Sequence, residues 1–282
     1  MSLRINSNVE AFNTHRQLVG SASKMAQSME RLSSGYRINR AADDAAGLAI
    51  SEKMRGQITG LAQAQRNAQD GVSLVQTGEG ALTEVHSMLQ RVRELRTQYG
   101  NDTLSTTDKD AIVAEVAQLA KEIEDTRSNT KFNGVALLTG AGGASGTISL
   151  QVGANTGETI DVVTTNLTSA SNTGLTAIVG MSAAGATSAT FTAIALSAID
   201  TAIAEVSTVR AAFGSVQNRL EHRIASLASY QENLISAESR IRDVDMAQEM
   251  VEFTKSQILQ QAGTSMLSQA NQAPQSVLSL LR

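Results

Sequence analysis

Two adjacent carboxylates, Asp43 and Asp44, stand in the run ERLSSGYRINRAADDAAGLAI (30–50). Paired carboxylates can share acid and base roles or bind a hard cation, provided further polar groups converge on them. The chain offers few such groups. It has three histidines, His15, His86 and His222, and no cysteine, so thiolate nucleophiles, thiolate metal sites and disulfides are excluded. No HExxH zinc motif, GxSxG elbow or GxxxxGK[ST] phosphate loop occurs in the sequence. The competing reading is that Asp43 and Asp44 begin a helix, where a carboxylate satisfies free N–H groups and faces the positive end of the dipole, for about 0.5–2 kcal/mol as a cap. The sequence favours this cap or a contact role over catalysis, with no catalytic, metal or cofactor-binding residue.

The elements around that pair are helical by pattern. Leu18, Ala22, Met25, Met29 and Leu32 recur by three and four, with Phe12, Val19 and Ala26 beside them, predicting a helix over 8–33 closed by a left-handed cap at Gly35. Met54, Leu61, Ala68, Val75, Leu82 and Leu89 recur by seven, with Val72, Val85 and Val92 in the companion row, predicting a helix over 44–99. A third helix carries Ile112, Val116, Leu119 and Ile123 on one side, with Thr107 or Asp108 as its expected cap. The strongest signal is Ile199, Val206, Phe213, Leu220, Leu227, Leu234 and Ile241 at strict heptad spacing, accompanied three residues later by Ala202, Val209, Val216, Arg223, Tyr230, Ala237 and Val244. That a/d seam demands helical partners. Gly47, Gly78 and Gly80 sit inside helical patterns at a cost of around 1 kcal/mol each against Ala, which suggests close helix approach.

Alternating Ile148, Leu150 and Val152, a GANTGE turn, then Ile160 and Val162 predict a β-hairpin at about 147–163. Residues 164–192, rich in Gly, Ser, Thr and Ala, read as an exposed connection whose hydroxyls are candidates for O-glycosylation. The last forty residues are amphipathic with an apolar tip, expected to bury in a partner. The predicted fold is mainly α: an elongated antiparallel helical bundle with a small β-hairpin region, in three parts at 1–42, 43–242 and 243–282.

Composition agrees. Aromatics are 3% of the 282 residues, tryptophan is absent and proline occurs once, at Pro274, which suits long helices rather than a core of large side chains. Net charge is −4 with both signs interspersed, so neither nucleic acid nor a membrane surface is an expected partner. No apolar run reaches the roughly 18 residues of a membrane span, and the N-terminus lacks the apolar core of a secretory signal, so export is expected to follow another route.

Six segments in order resemble bacterial flagellin: ERLSSGYRINRAADDAAGLAI, RNAQDGVSLVQTGEGAL (66–82), LQRVREL (89–95), KFNGVALL (131–138), QVGANTGETI (151–160) and ANQAPQSVLSLLR (270–282). The resemblance spans roughly 1–163 and 195–282. It implies a self-assembling filament subunit in which the terminal helices pair as a coiled coil in the inner tube, residues 36–42 act as a spoke, and the bundle forms the next layer. It implies no large outer domain, since 164–192 is too short to hold one. It also implies an extracellular flagellar location reached through the flagellar export apparatus and its chaperone, with hook-associated and cap proteins as partners. A hook–filament junction protein shares the terminal pattern and is the alternative. Subunit contacts are expected at Asp43, Asp44, Arg91, Leu95, Leu278 and Leu281. The resemblance also places Arg91, Leu95 and Glu115 at the contact positions for the flagellin-sensing Toll-like receptor, while RTQY (96–99) departs from the family pattern and sets an added charge, Arg96, beside them.

Overall fold

The computed structural model describes residues 8–143, 146–168, 172–182 and 187–280, with the side chains of 273–280 excepted. Seven helices dominate: α1 Val9–Ser34, α2 Ala45–Tyr99, α3 Thr106–Asn129, α4 Thr173–Val179, α5 Ser188–Ala193, α6 Leu196–Arg242 and α7 Met246–Leu280. Two antiparallel strand pairs complete the list, β1 Lys131–Phe132 with β2 Val135–Ala136, and β3 Thr147–Gln151 with β4 Thr159–Val163. The chain divides into two compact units. One comprises Met1–Gln57 and Glu232–Arg282, the other Ile58–Gln231.

The Ile58–Gln231 unit holds the apolar core. Leu82, Val85, Leu89 and Val92 of α2 meet Val116, Ala120 and Ile123 of α3 and Ile199, Val206, Phe213 and Leu220 of α6. The α6 seam is therefore buried as its spacing demands from Ile199 to Leu227. Its later positions differ. Leu234 and Ile241 are half-buried, and Tyr230 is 47% exposed. Arg223, the lone charge in the companion row, is half-buried and donates from Nε to the Val152 carbonyl at 2.9 Å, with Glu158 3.7 Å away.

The hairpin places Ile148 opposite Val162 and Leu150 opposite Ile160. Val162 and Ile160 turn into the core, while Asp161 and Val163 face out, the two-residue alternation of a half-buried strand. The shorter pair turns through Asn133 (φ 48°) and Gly134 (φ 81°), the left-handed backbone that a two-residue hairpin turn requires.

Residues 164–192 depart from expectation. They are not simply an exposed connection: Leu167, Leu175, Ile178 and Phe191 are wholly buried, as nearly is Met181, in α4, α5 and the turns about them, and α3 packs on this segment. Five irregularly spaced apolar anchors among many small residues leave no period to read. Among the described residues several hydroxyls serve local structure. Thr187 and Thr190 form a capping box at the start of α5, and buried Thr164 donates to the Gly146 carbonyl at 2.9 Å. The cap of α3 also lies elsewhere than expected. Ser105 is the N-cap, and Asp108 closes the box from three residues on.

Candidate functional site

In the terminal unit, Gly35 takes φ 75° and donates its N–H to the Arg31 carbonyl at 2.8 Å, which ends α1. The chain then pairs with the break between α6 and α7. Arg37 N–H donates to the Arg242 carbonyl (2.7 Å), Val244 N–H donates to the Gly35 carbonyl (3.1 Å), and Tyr36 bridges Asp243. Arg242 lies 4.9 Å over the Tyr36 ring and pairs with Glu52 at 2.6 Å. Ile38, 2% exposed, fills the centre of this clasp.

The two carboxylates of the clasp have separate jobs. Asp44 caps α2, its Oδ1 accepting from Gly47 N–H at 2.9 Å. Asp43 does not reach the helix N–H groups. It closes the preceding turn by accepting from Asn39 N–H (3.2 Å) and Arg40 N–H (3.0 Å), and ties that turn to α1 through Gln27 Nε2 (3.1 Å). The Arg40 N–H, then the Asn39 N–H, the Gln27 amide and the charge of Arg31 hold the Asp43 carboxyl below its usual value, against some desolvation. Gly47 is required here, because a Cβ would collide with the Asp44 carboxylate and come within 2.8 Å of Ile38. Among the described residues no group of three or more His, Cys, Asp or Glu converges as metal ligands would.

α1 and α7 pack along each other. Asn8 caps α1 through Oδ1 and donates from Nδ2 to the Ala270 carbonyl at 2.7 Å; Leu18 lies on Gly263; Arg31 pairs with Glu249 at 3.6 Å. Residue numbers rise on one helix as they fall on the other, so the pair is antiparallel. The covered positions on α7 are Glu249, Phe253, Ser256, Gln260, Gly263, Leu267 and Ala270, alternating by four and three. On α1, Ala11, Thr14, Leu18, Ser21, Met25, Ser28 and Leu32 show the same alternation, with Ala22, Glu30 and Arg31 covered beside them. This is a coiled-coil seam in which a row of small or polar side chains (Thr14, Ser21 and Ser28; Ser256, Gly263 and Ala270) runs beside larger apolar ones (Leu18, Met25 and Leu32; Phe253 and Leu267). Other large apolar side chains lie outside it. Phe12 is 73% exposed, Val19 55%, Met29 56%, Val251 69%, Ile258 59% and Met266 59%. Met250, Val251, Ile258 and Leu259 line one open apolar hollow on α7 with Thr254 and Lys255. Met29, expected within the α1 stripe, is thus on the outward side. The rest of that stripe, Leu18, Ala22, Met25 and Leu32, is on the covered side. On α7 the signal that could have found the seam is the heptad recurrence of Ser256, Gly263 and Ala270, small residues that let two backbones approach.

In the other unit Arg91 forms ion pairs with Glu115 (2.9 Å) and Glu94 (3.1 Å), all three exposed. Glu115, then Glu94, raises the affinity of the Arg91 guanidinium for its proton. Leu95 does not join them on the surface: at 2% exposure it faces the core, which removes it as a direct contact of the free chain. Arg96 does not project a charge beside the cluster either. It folds back to donate from Nε to the Ile194 carbonyl at 2.9 Å, and sits 5.6 and 5.5 Å over the Tyr99 and Phe191 rings. Tyr99 meets Phe191 edge-on at 5.1 Å, and its hydroxyl engages Ser188 and Thr192. Arg96 and Tyr99 therefore clip the 187–194 segment onto α2, a role the sequence reading missed. The Ser188 and Thr192 contacts, in that order, lower the Tyr99 pKa.

Of the three glycines read as close approaches, Gly47 and Gly78 are. A Cβ at Gly78 would lie 2.6 Å from Phe213 Cε2, whereas Gly80 meets nothing within 4 Å. Gly71, which the sequence did not single out, lies against Leu150. The side chain of Leu278 and the whole of Leu281 lie outside the described residues.

The fold defines a mainly helical protein whose paired terminal helices display large apolar side chains. The family model for the bacterial flagellin N-terminal helical region matches residues 5–142, and that for the C-terminal helical region matches 196–281. A flagellin of Halalkalibacterium halodurans is 52% identical over 279 residues, covering 99% of each chain. The flagellin of Bacillus subtilis is 48% identical over 305 residues, covering 99% of this chain and all of the other. Among solved structures, a hook-associated protein of Vibrio parahaemolyticus shares the fold at TM-score 0.58 and 17% identity, over 71% of this chain and all of that one. The chain belongs to the bacterial flagellins, and is a structural subunit of the flagellar filament.

Proposed function

We propose that this flagellin assembles by burying the outward apolar faces of α1 and α7 against neighbouring copies of itself, with no catalytic step. The observation that carries the reading is the set of large apolar side chains that the pairing leaves uncovered. α1 and α7 cover Leu18, Met25, Leu32, Phe253 and Leu267 in part, yet leave Phe12, Val19, Val251, Ile258 and Met266 in water. A fully buried side chain of that size gains about 1.5–3 kcal/mol over an exposed one, so several per subunit favour a polymer strongly. The clasp at 35–44 sets the direction in which α1 leaves α2, and we assign Asp43 and Asp44 to holding that turn for subunit contact. By the same reading we assign Leu278 and Leu281 to subunit contact. The family supports export through the flagellar apparatus with a chaperone, an extracellular filament location, and hook-associated and cap proteins at its ends. The full-length flagellin relatives favour this over a hook–filament junction protein, whose likeness at 17% identity concerns the fold alone. An innate receptor reading this surface would meet the Arg91, Glu94 and Glu115 cluster without Leu95.

The test is Val251→Ser with Ile258→Ser. Both side chains are more than half exposed, so the unassembled chain should keep its helical circular dichroism. Salting out followed by negative-stain microscopy should give no filaments. Normal filaments from a folded double variant would remove this face from assembly.

A further inference from the structure

The described methionines are unevenly distributed. Met29 of α1 and Met246, Met250 and Met266 of α7 are between 49% and 59% exposed, whereas Met25 and Met54 are half-buried, Met181 in the other unit is 4% exposed and Met88 packs against the core. The four exposed thioethers share the outward sides of α1 and α7 with the apolar side chains assigned above to assembly. Met250 lines the hollow with Val251, Ile258 and Leu259, and Met266 lines the groove between α1 and α7 with Leu18 and Leu259. The chain has no cysteine and no tryptophan, so these sulfurs are its most readily oxidised accessible groups.

We infer that Met29, Met246, Met250 and Met266 form an oxidation site that gates polymerisation, with hydrogen peroxide as the oxidant; this rests on the assembly reading above. In the step, a thioether lone pair attacks one peroxide oxygen. The S–O bond forms as the O–O bond breaks, sulfur loses two electrons, and the remaining oxygen leaves as water. The side chain changes from a pliable apolar filler into a polar, chiral sulfoxide. In the free subunit water solvates the new oxygen. In the polymer that oxygen must be buried without a matched donor, so oxidation opposes assembly while leaving the buried core of the other unit intact. The chemistry is reversible by reduction of the sulfoxide. Assembly in turn shields the sulfurs, so unassembled subunits are the sensitive form.

The experiment treats the full, unassembled chain with hydrogen peroxide, maps sulfoxides by peptide mass, and then salts the protein out. Met250 and Met266 should oxidise well before Met181. The concentration needed for filaments should rise at least tenfold, equivalent to about 1.4 kcal/mol per subunit added, and methionine sulfoxide reductase should restore it. A variant with Met29→Leu, Met246→Leu, Met250→Leu and Met266→Leu should form filaments equally well before and after peroxide. Wild-type chain carrying the mapped sulfoxides but assembling at its original concentration overturns the inference, as does equal peroxide sensitivity of the leucine variant. If the leucine variant assembles poorly untreated, the reductase repair decides by itself, and no recovery overturns the inference. Untreated wild-type chain that never forms filaments sinks the assembly reading instead, a result visible before any peroxide is added.

Discussion

Gly78 and Gly80 lie two residues apart in α2, and the same substitution should act in opposite directions at the two. Replacing Gly by Ala in a helix gains about 0.5–1 kcal/mol from lower unfolded-chain entropy at either position. At Gly80 nothing lies within 4 Å of the added methyl, so that gain stands alone. At Gly78 the methyl lies 2.6, 3.3 and 3.4 Å from three atoms of the Phe213 ring, which is 2% exposed and has little room to retreat. Overpacking of this kind costs about 1–3 kcal/mol. The propensity gain is common to both variants, so their difference isolates the packing contribution, about 1–3 kcal/mol. Urea unfolding of the unassembled chain, followed by circular dichroism, measures it. Gly80→Ala should move the midpoint up and Gly78→Ala should move it down. Phe213→Leu, which shortens the ring, should shrink the Gly78→Ala penalty, and a double-mutant cycle should return a coupling of about 1 kcal/mol or more. Equal midpoints for the two alanine variants, or strict additivity with Phe213→Leu, would refute close approach at Gly78.

Asp44→Ala removes the cap of α2 and should cost about 0.5–2 kcal/mol, read by thermal melting, whereas Asp44→Asn should restore most of it. Asp43 behaves differently with pH. Its folded pKa lies below the ordinary 3.8, so its contribution is complete above that value and is lost as pH falls through the folded pKa. Asp43→Asn should therefore flatten part of the acid-induced loss of melting temperature below pH 3.8, and an unchanged acid limb would count against the turn-closing role. Tyr99→Phe keeps the edge-on contact with Phe191 but removes the hydroxyl shared with Ser188 and Thr192. It should cost about 1 kcal/mol and speed amide hydrogen exchange in 187–194 without changing α1 or α7; uniform exchange across the chain would contradict the clip.

The parts of the fold written in a single period were legible. The heptads of α2 from Leu61 to Leu89 and of α6 from Ile199 to Leu227, and the alternation of β4, bury the residues their spacing selects, because one periodic face suffices to define them. Three things were hidden for physical reasons. The anchors Leu167, Leu175, Ile178 and Phe191 follow no period, so they vanish among small residues. On α7 the seam row Ser256, Gly263 and Ala270 is small rather than apolar, so a reading by apolar residues there picks out outward side chains such as Met250, Ile258 and Met266. Arg96 and Tyr99 looked like a disturbance of a contact surface, because a sequence does not say that an arginine turns back to cover two rings. Likewise, Asp43 and Asp44 look alike in a string, and only their N–H donors separate turn closure from capping.

The seam between α1 and α7 has a thermodynamic consequence. One of its rows is serine, threonine, glycine and alanine, and large apolar side chains outside it stay in water, so much of the favourable energy for ordering the two helices must come from outside the subunit. Completion of their fold and addition to the polymer then draw on the same free energy. Ligand linkage applies, with a second copy as the ligand: stability rises with the logarithm of free subunit concentration over the dissociation constant. The melting temperature of α1 and α7 should accordingly depend on protein concentration, while that of the Ile58–Gln231 unit should not. Warming a filament would release subunits whose central bundle is still folded and able to add again on cooling.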